Sequence, residues 1–119
     1  MDMPLIGVVG PCASGKTTLV SALKERGYQV RHIAQEHSYV PYMWQRITNP
    51  DLLIYLHASY PTTLIRRQMN WTQSEYDRQT ERLLHARQHA SLYIDTDSLT
   101  SEEVLQRVLE YLRFLEIDP

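Results

Sequence analysis

Leu5-Ile6-Gly7-Val8-Val9-Gly10-Pro11-Cys12-Ala13-Ser14-Gly15-Lys16-Thr17 decides the reading of this chain. Its first five residues are an unbroken apolar run, the pattern of a strand buried on both faces. Gly10 to Thr17 then follow G-x-x-x-x-G-K-[ST] without a departure. In that pattern the glycines let backbone N–H groups converge on a polyphosphate, and the helix that follows adds its positive N-terminal end. Lys16 is placed to reach the β- and γ-phosphates, and the Thr17 hydroxyl to ligate magnesium. Strand, loop and helix stand in the order the motif requires, so a nucleoside triphosphate with magnesium is the expected ligand. Contacts are expected from Gly10, Ala13, Ser14, Gly15, Lys16, Thr17 and Thr18.

Outward from the loop, Ser14 to Arg26 reads as a helix, with Gly27 as its stop. Tyr28 to Glu36 holds a second, less apolar strand, suited to a sheet edge. His37 to Pro50 is irregular apart from a helical turn near Met43 to Ile47. Leu52 to Leu56 is a third, strongly apolar strand. Pro61 fits a first helical turn, and a short helix is expected over Thr62 to Met69. Thr72-Gln73-Ser74-Glu75 and Thr100-Ser101-Glu102-Glu103 both have capping-box spacing. The first opens a helix with Tyr76, Thr80, Leu83, Leu84 and Arg87 on one side. The second opens a final helix with Val104, Leu105, Val108, Leu109, Leu112 and Leu115 on one face. Leu92-Tyr93-Ile94 lies between them as a fourth strand. Strands alternating with helices imply an α/β, three-layer P-loop NTPase fold. Its sheet is short and mainly parallel, of about four strands, with strand one central between strands two and three. Residues 1–119 are expected to form one nucleotide-binding domain, with a lid-like segment over about 61–90.

The bulk properties agree. The 119 residues carry 43% apolar and 22% charged side chains and a net charge of −2. Those values give no sign of nucleic-acid or membrane attraction, and a cytoplasmic protein is the simplest expectation. The single cysteine, Cys12, excludes an internal disulfide and is read as a small filler of the loop. The five histidines show no convincing metal spacing.

In a parallel sheet, ligands gather at the carboxyl ends of the strands. Glu36, after strand two, falls on that edge, as do Asp95 and Asp97 after strand four. Asp51 precedes strand three and lies at the opposite edge. An apolar strand ending in Asp, the usual second magnesium carboxylate, is not evident. Glu36 is the nearest substitute, as holder of a metal-bound water or as proton acceptor.

At this point the chain resembles the nucleoside and nucleotide kinase branch of the P-loop proteins, especially the thymidylate kinase and deoxynucleoside kinase group. The phosphate loop carries the resemblance together with two further stretches. Asn49-Pro50-Asp51-Leu52-Leu53-Ile54-Tyr55-Leu56-His57-Ala58-Ser59, with Thr62 to Arg67, looks like the family's PDLxIYLxxSPExxLxR segment leading into the lid. Leu92-Tyr93-Ile94-Asp95-Thr96-Asp97-Ser98-Leu99 is similar to its final strand, whose following loop packs on adenine. The resemblance implies that Arg66 or Arg67 lies over adenine or grips phosphate, and that Asp97 belongs to the nucleotide site. The family's helical acceptor region and its Asp-Arg pair after the central strand have no counterpart here. Only His37 to Pro50 fills that gap, which marks a reduced member. Guanine-specific relatives carry an Asn-Lys-x-Asp element; Lys24, the only other lysine, stands in Leu23-Lys24-Glu25, so adenine is favoured.

Two further groups stay open on sequence. Arg78, Arg82, His85 and His89 recur at helical spacing and could clamp a phosphate or form a solvated face paired with Glu75 and Glu81. His37, Tyr39, Tyr42, Trp44 and Arg46 could stack a ring, cover the core, or form a dimer contact. The expected function is a reduced ATP-dependent phosphotransferase using Lys16, Glu36, Arg66 and Arg67, with a small acceptor. The rival is a slow ATPase or nucleotide-gated binding protein whose partner is a protein.

Overall fold

A computed structural model describes residues 3–67 and 70–119. Its elements run β1 (Leu5–Val9), α1 (Lys16–Glu25), β2 (Gln29–His32), a 3-10 turn (Gln35–His37), α2 (Met43–Ile47) and β3 (Leu52–His57). They continue with α3 (Tyr60–Arg67), α4 (Gln73–Arg82), α5 (Leu84–Gln88), β4 (Leu92–Asp95) and α6 (Ser101–Phe114). The four strands form one parallel sheet in the order β2-β1-β3-β4. Strand β1 is thus flanked by β2 and β3, as the sequence implies.

The apolar runs explain why β1 and β3 are the inner strands. Side chains alternate across a strand. Ile6, Val8, Ile54 and Leu56 meet Leu19, Leu23, Val108 and Leu112 of α1 and α6 on one face. Val9, Leu53 and Tyr55 meet Trp44, Leu83 and Ala86 on the other. Both faces are covered, giving three layers. Strand β2 buries only Val30 among its four residues and forms an edge.

Several boundaries differ from the sequence reading. The second strand stops at His32, and Glu36 sits in the 3-10 turn; Gln35 turns the chain by accepting from Trp44 N–H and donating to the Val40 and Arg82 carbonyls. Helix α1 begins at Lys16 and not at Ser14, because Gly15 caps it in a left-handed conformation with φ 98°. Helix α3 starts earlier, at Tyr60, and the expected end at Met69 lies outside the described residues. Both capping boxes form. The helix after the first one breaks at Leu83, so its buried stripe is Tyr76, Gln79, Leu83 and Ala86, while Leu84 and Arg87 face solvent. Leu115 falls past the end of α6 and is exposed. Among the described residues no helix is long and apolar enough to cross a membrane.

Candidate functional site: the phosphate loop and its two clefts

The loop from Gly10 to Gly15 connects β1 to α1 at the carboxyl edge of the sheet. A Cβ on Gly10 would overlap the Leu56 carbonyl oxygen and lie 2.7 Å from Ser14 Oγ, so no other residue fits there. Ala13 holds φ 65°, an unusual conformation for a residue with a side chain. Such backbone is stored at ligand-binding turns. Helix α1 has no acid in its first turn, leaving its positive end uncompensated.

Lys16 is 5% exposed, and its Nζ donates to the Gly10 carbonyl at 2.6 Å and the Pro11 carbonyl at 3.0 Å. It also pairs with Glu36 Oε2 at 2.8 Å. Glu36, itself 3% exposed, therefore faces the loop lysine from the turn after β2. Thr17 and Thr18 are exposed on the first turn of α1. Among the described residues, Ser14 Oγ and Glu36 Oε1 are the buried side-chain polar atoms with no hydrogen-bond partner. Leaving such an atom unpaired costs about 1–3 kcal/mol, and both belong to residues lining clefts at this loop.

The first cleft, of about 270 Å³, runs between α1 and the start of α6, with Leu19, Leu99 and Val104 giving it an apolar wall. The second, of about 400 Å³, lies toward β2 and is lined by Lys16, Thr17, His32, Glu36, His37 and Arg67 among others. Gly15, Thr18 and Arg66 line both. The Arg66 guanidinium donates to Ala13 O at 3.3 Å, to Thr96 Oγ1 at 2.8 Å and to the Thr96 carbonyl. It thereby ties α3 to the loop and to the end of β4. Burial and the Lys16 charge both push His32 below its ordinary value.

Asp97 stands apart from both clefts and accepts from Ser59 N–H at 2.9 Å. Burial pushes its carboxyl up, but hydrogen bonds from the Ser59 backbone and side chain and from Thr62 outweigh this and hold it below the ordinary value. In the basic stripe, Arg82 lies 4.4 Å over the Tyr39 ring and donates to the Glu36 carbonyl. His85 accepts from Trp44 Nε1 at 3.1 Å, and His89 stacks on His85. None of the four lines either cleft. Trp44 is core cover, while Tyr39 is 85% exposed.

Sequence reasoning passed over Gln79, whose side chain accepts from Cys12 N–H and donates to Cys12 Sγ. It also passed over an aromatic knot that fixes α3 and α4. There Trp71 Nε1 donates to Thr63 Oγ1 at 3.0 Å, and Tyr76 donates to the Ala58 carbonyl at 2.6 Å. Burial pushes the Tyr76 hydroxyl up to about 12.

A glycine loop closed on a buried lysine stands at the carboxyl edge of a parallel sheet ordered β2-β1-β3-β4, in a three-layer α/β fold shared with solved kinases. Solved structures agree. Thymidylate kinase from Candida albicans superposes with a TM-score of 0.70 at 10% identity, over 96% of this chain and 92% of that one. The YorR protein from Bacillus subtilis, solved with phosphorylated GDP, gives 0.66 at 15% identity, over 94% and 97%. Shikimate kinase from Bacteroides thetaiotaomicron gives 0.55 at 14% identity, over 94% and 99%. No family model matches the sequence, and no curated protein matches it.

Proposed function

We propose that this chain is a reduced kinase-type phosphotransferase that binds ATP with magnesium and passes the terminal phosphoryl group to a small acceptor. The observation that carries the reading is the convergence of Lys16, Thr17, Glu36 and Arg66 on two adjoining clefts at one sheet edge. The apolar wall of Leu19, Leu99 and Val104 suits a flat base, and the glycine loop suits the phosphates. Lys16 would exchange the Gly10 and Pro11 carbonyls for β- and γ-phosphate oxygens. Thr17 and Glu36 would hold magnesium, which when bound neutralises phosphate charge. Arg66, already anchored on Thr96, is preorganised to meet charge developing on the phosphoryl group, with Arg67 beside it. The acceptor oxygen bonds to the γ-phosphorus as the β,γ-bridging bond breaks. The acceptor's proton passes to Glu36, directly or through a water.

One observation favours a second reading. Between β2 and β3 the chain holds only the 3-10 turn and α2, little material to enclose an acceptor. A slow ATPase or nucleotide-gated binding protein would need none. In that case a protein partner or a second copy of the chain reads the ordered state of the lid.

The experiment is nucleotide turnover with and without a pool of nucleosides, nucleotides and small hydroxylated metabolites. GTP is run beside ATP, since the Bacillus subtilis neighbour was solved with a guanine nucleotide. Turnover stimulated by the pool supports transfer; equal turnover without it supports the second reading. Glu36→Gln keeps the shape of the side chain and removes its charge. Single-turnover cleavage should fall by about two orders of magnitude or more, in line with general-base contributions. Unchanged cleavage would remove Glu36 from the mechanism.

A further inference from the structure

We propose that Cys12, Glu36 and His37 form a site for one thiophilic divalent cation of the zinc class. The loop and the 3-10 turn bring together a sulfur, an imidazole nitrogen and a carboxylate that are far apart in sequence. Cys12 Sγ lies 3.9 Å from His37 Nε2, and Glu36 Oε2 lies 3.9 Å from the same nitrogen. One ligand atom from each residue falls within 4.8 Å of the others. Tetrahedral zinc, with bonds of about 2.0–2.3 Å, spaces its ligand atoms roughly 3.5 Å apart. Closing the set is therefore a movement on the order of 1 Å. His37, with 60% of its side chain exposed, has the freedom to make it.

The buried carboxylate is the independent sign of a missing ligand. Glu36 is 3% exposed; Oε2 is engaged by Lys16, while Oε1 has no partner. The oxygen 3.9 Å from His37 Nε2 is Oε2, so a cation here shares the carboxylate with Lys16, and the unpartnered Oε1 leaves the group one oxygen to spare for both. Cys12 and the Glu36 backbone are held in place beforehand. Gln79 accepts from Cys12 N–H at 3.0 Å and donates to its sulfur at 3.1 Å. Arg82, one turn further along α4, donates to the Glu36 carbonyl at 3.3 Å. One helix thus braces both halves of the site, the kind of support that orients metal ligands.

The donor set chooses the cation. Sulfur and imidazole favour zinc-like ions, whereas magnesium takes oxygen. The thiolate and the carboxylate, which Lys16 shares, both face the cation, and the Cys12 thiol proton is released to solvent on binding. Three protein ligands leave one tetrahedral position for water. A cation held here withdraws Glu36 from the role given to it above, so the site acts as a brake on phosphoryl transfer.

The probe is Co2+, titrated without nucleotide and in excess Mg2+, so the result does not depend on what the clefts bind. One equivalent should bind with a thiolate-to-cobalt charge-transfer band and be displaced by Zn2+. The band should vanish in Cys12→Ser. In His37→Ala, an exposed position where the melt should not change, affinity should fall about tenfold or more. Absence of the band in the wild type at saturating Co2+, or a smaller loss in His37→Ala, overturns the proposal. Should Cys12→Ser fail to fold, His37→Ala decides alone.

Discussion

Lys16, at the start of α1, and Glu36, in the 3-10 turn, form a buried ion pair beside the loop that the proposed reading reserves for phosphate. Lys16→Ala removes the point charge aimed at the β- and γ-phosphates, and calorimetric titration should show tight nucleotide binding lost. Equal affinity would sink the assignment of the loop. Sequence alone leads one to expect the fold of that variant to be undisturbed. The structure predicts otherwise, because Glu36, 3% exposed, would lose the ammonium that pairs its carboxylate at 2.8 Å. Removing one partner of a buried pair costs about 3–5 kcal/mol. The nucleotide-free variant should therefore melt lower, and Lys16→Ala/Glu36→Gln should recover most of the loss. The motif from Gly10 to Thr17 was legible because it is local, its spacing set by one turn and one helix start. The partnership of Cys12 with Gln79 spans 67 residues and that of Cys12 with His37 spans 25, and no local pattern announces either.

Among the elements, β1 and β3 were readable because strands buried on both faces must be apolar at every position. The 3-10 turn was not, since Gln35, a polar residue 1% exposed, organises it through hydrogen bonds to distant carbonyls. Helix α3 makes Arg66 and Arg67 unequal. Arg66 bonds Ala13 and Thr96 and lines both clefts, whereas Arg67 lines only the second. Arg66→Ala should lose at least tenfold in nucleotide affinity or turnover, about 1.4 kcal/mol. Arg67→Ala should lose less. Wild-type behaviour in both variants would end the lid reading. The start of α3 is tied to the loop after β4 through Asp97, which accepts from Ser59. Its folded pKa lies below the ordinary 3.8, so its stabilisation is present above that value and is lost as pH falls through the folded pKa. Asp97→Asn should melt lower at neutral pH and show a shallower loss across that acid window. Parallel melting curves against pH would show no difference if the tie contributes nothing.

At the scale of the whole molecule, the sheet puts the glycine loop between two clefts, and the ligand that fills them should stabilise the fold by mass action. The base is the open choice. The chain has no Asn-Lys-x-Asp element to read guanine, and its only other lysine, Lys24, is exposed on α1 away from both clefts. The first cleft offers Leu19, Leu99 and Val104 to the face of a flat ring, and among its lining residues there is no carboxylate to take guanine's donors. ATP with magnesium should therefore raise the melting temperature more than GTP with magnesium at equal concentration. A ligand at 100 times its Kd stabilises by about 2.7 kcal/mol. In a domain of this size each kcal/mol shifts the melting temperature by roughly 4 °C or more, so the two nucleotides are separable in a simple melt. A larger shift with GTP would overturn the adenine preference while leaving the phosphate loop in place. No shift with either, alongside wild-type behaviour of Lys16→Ala, would remove the nucleotide from the site altogether.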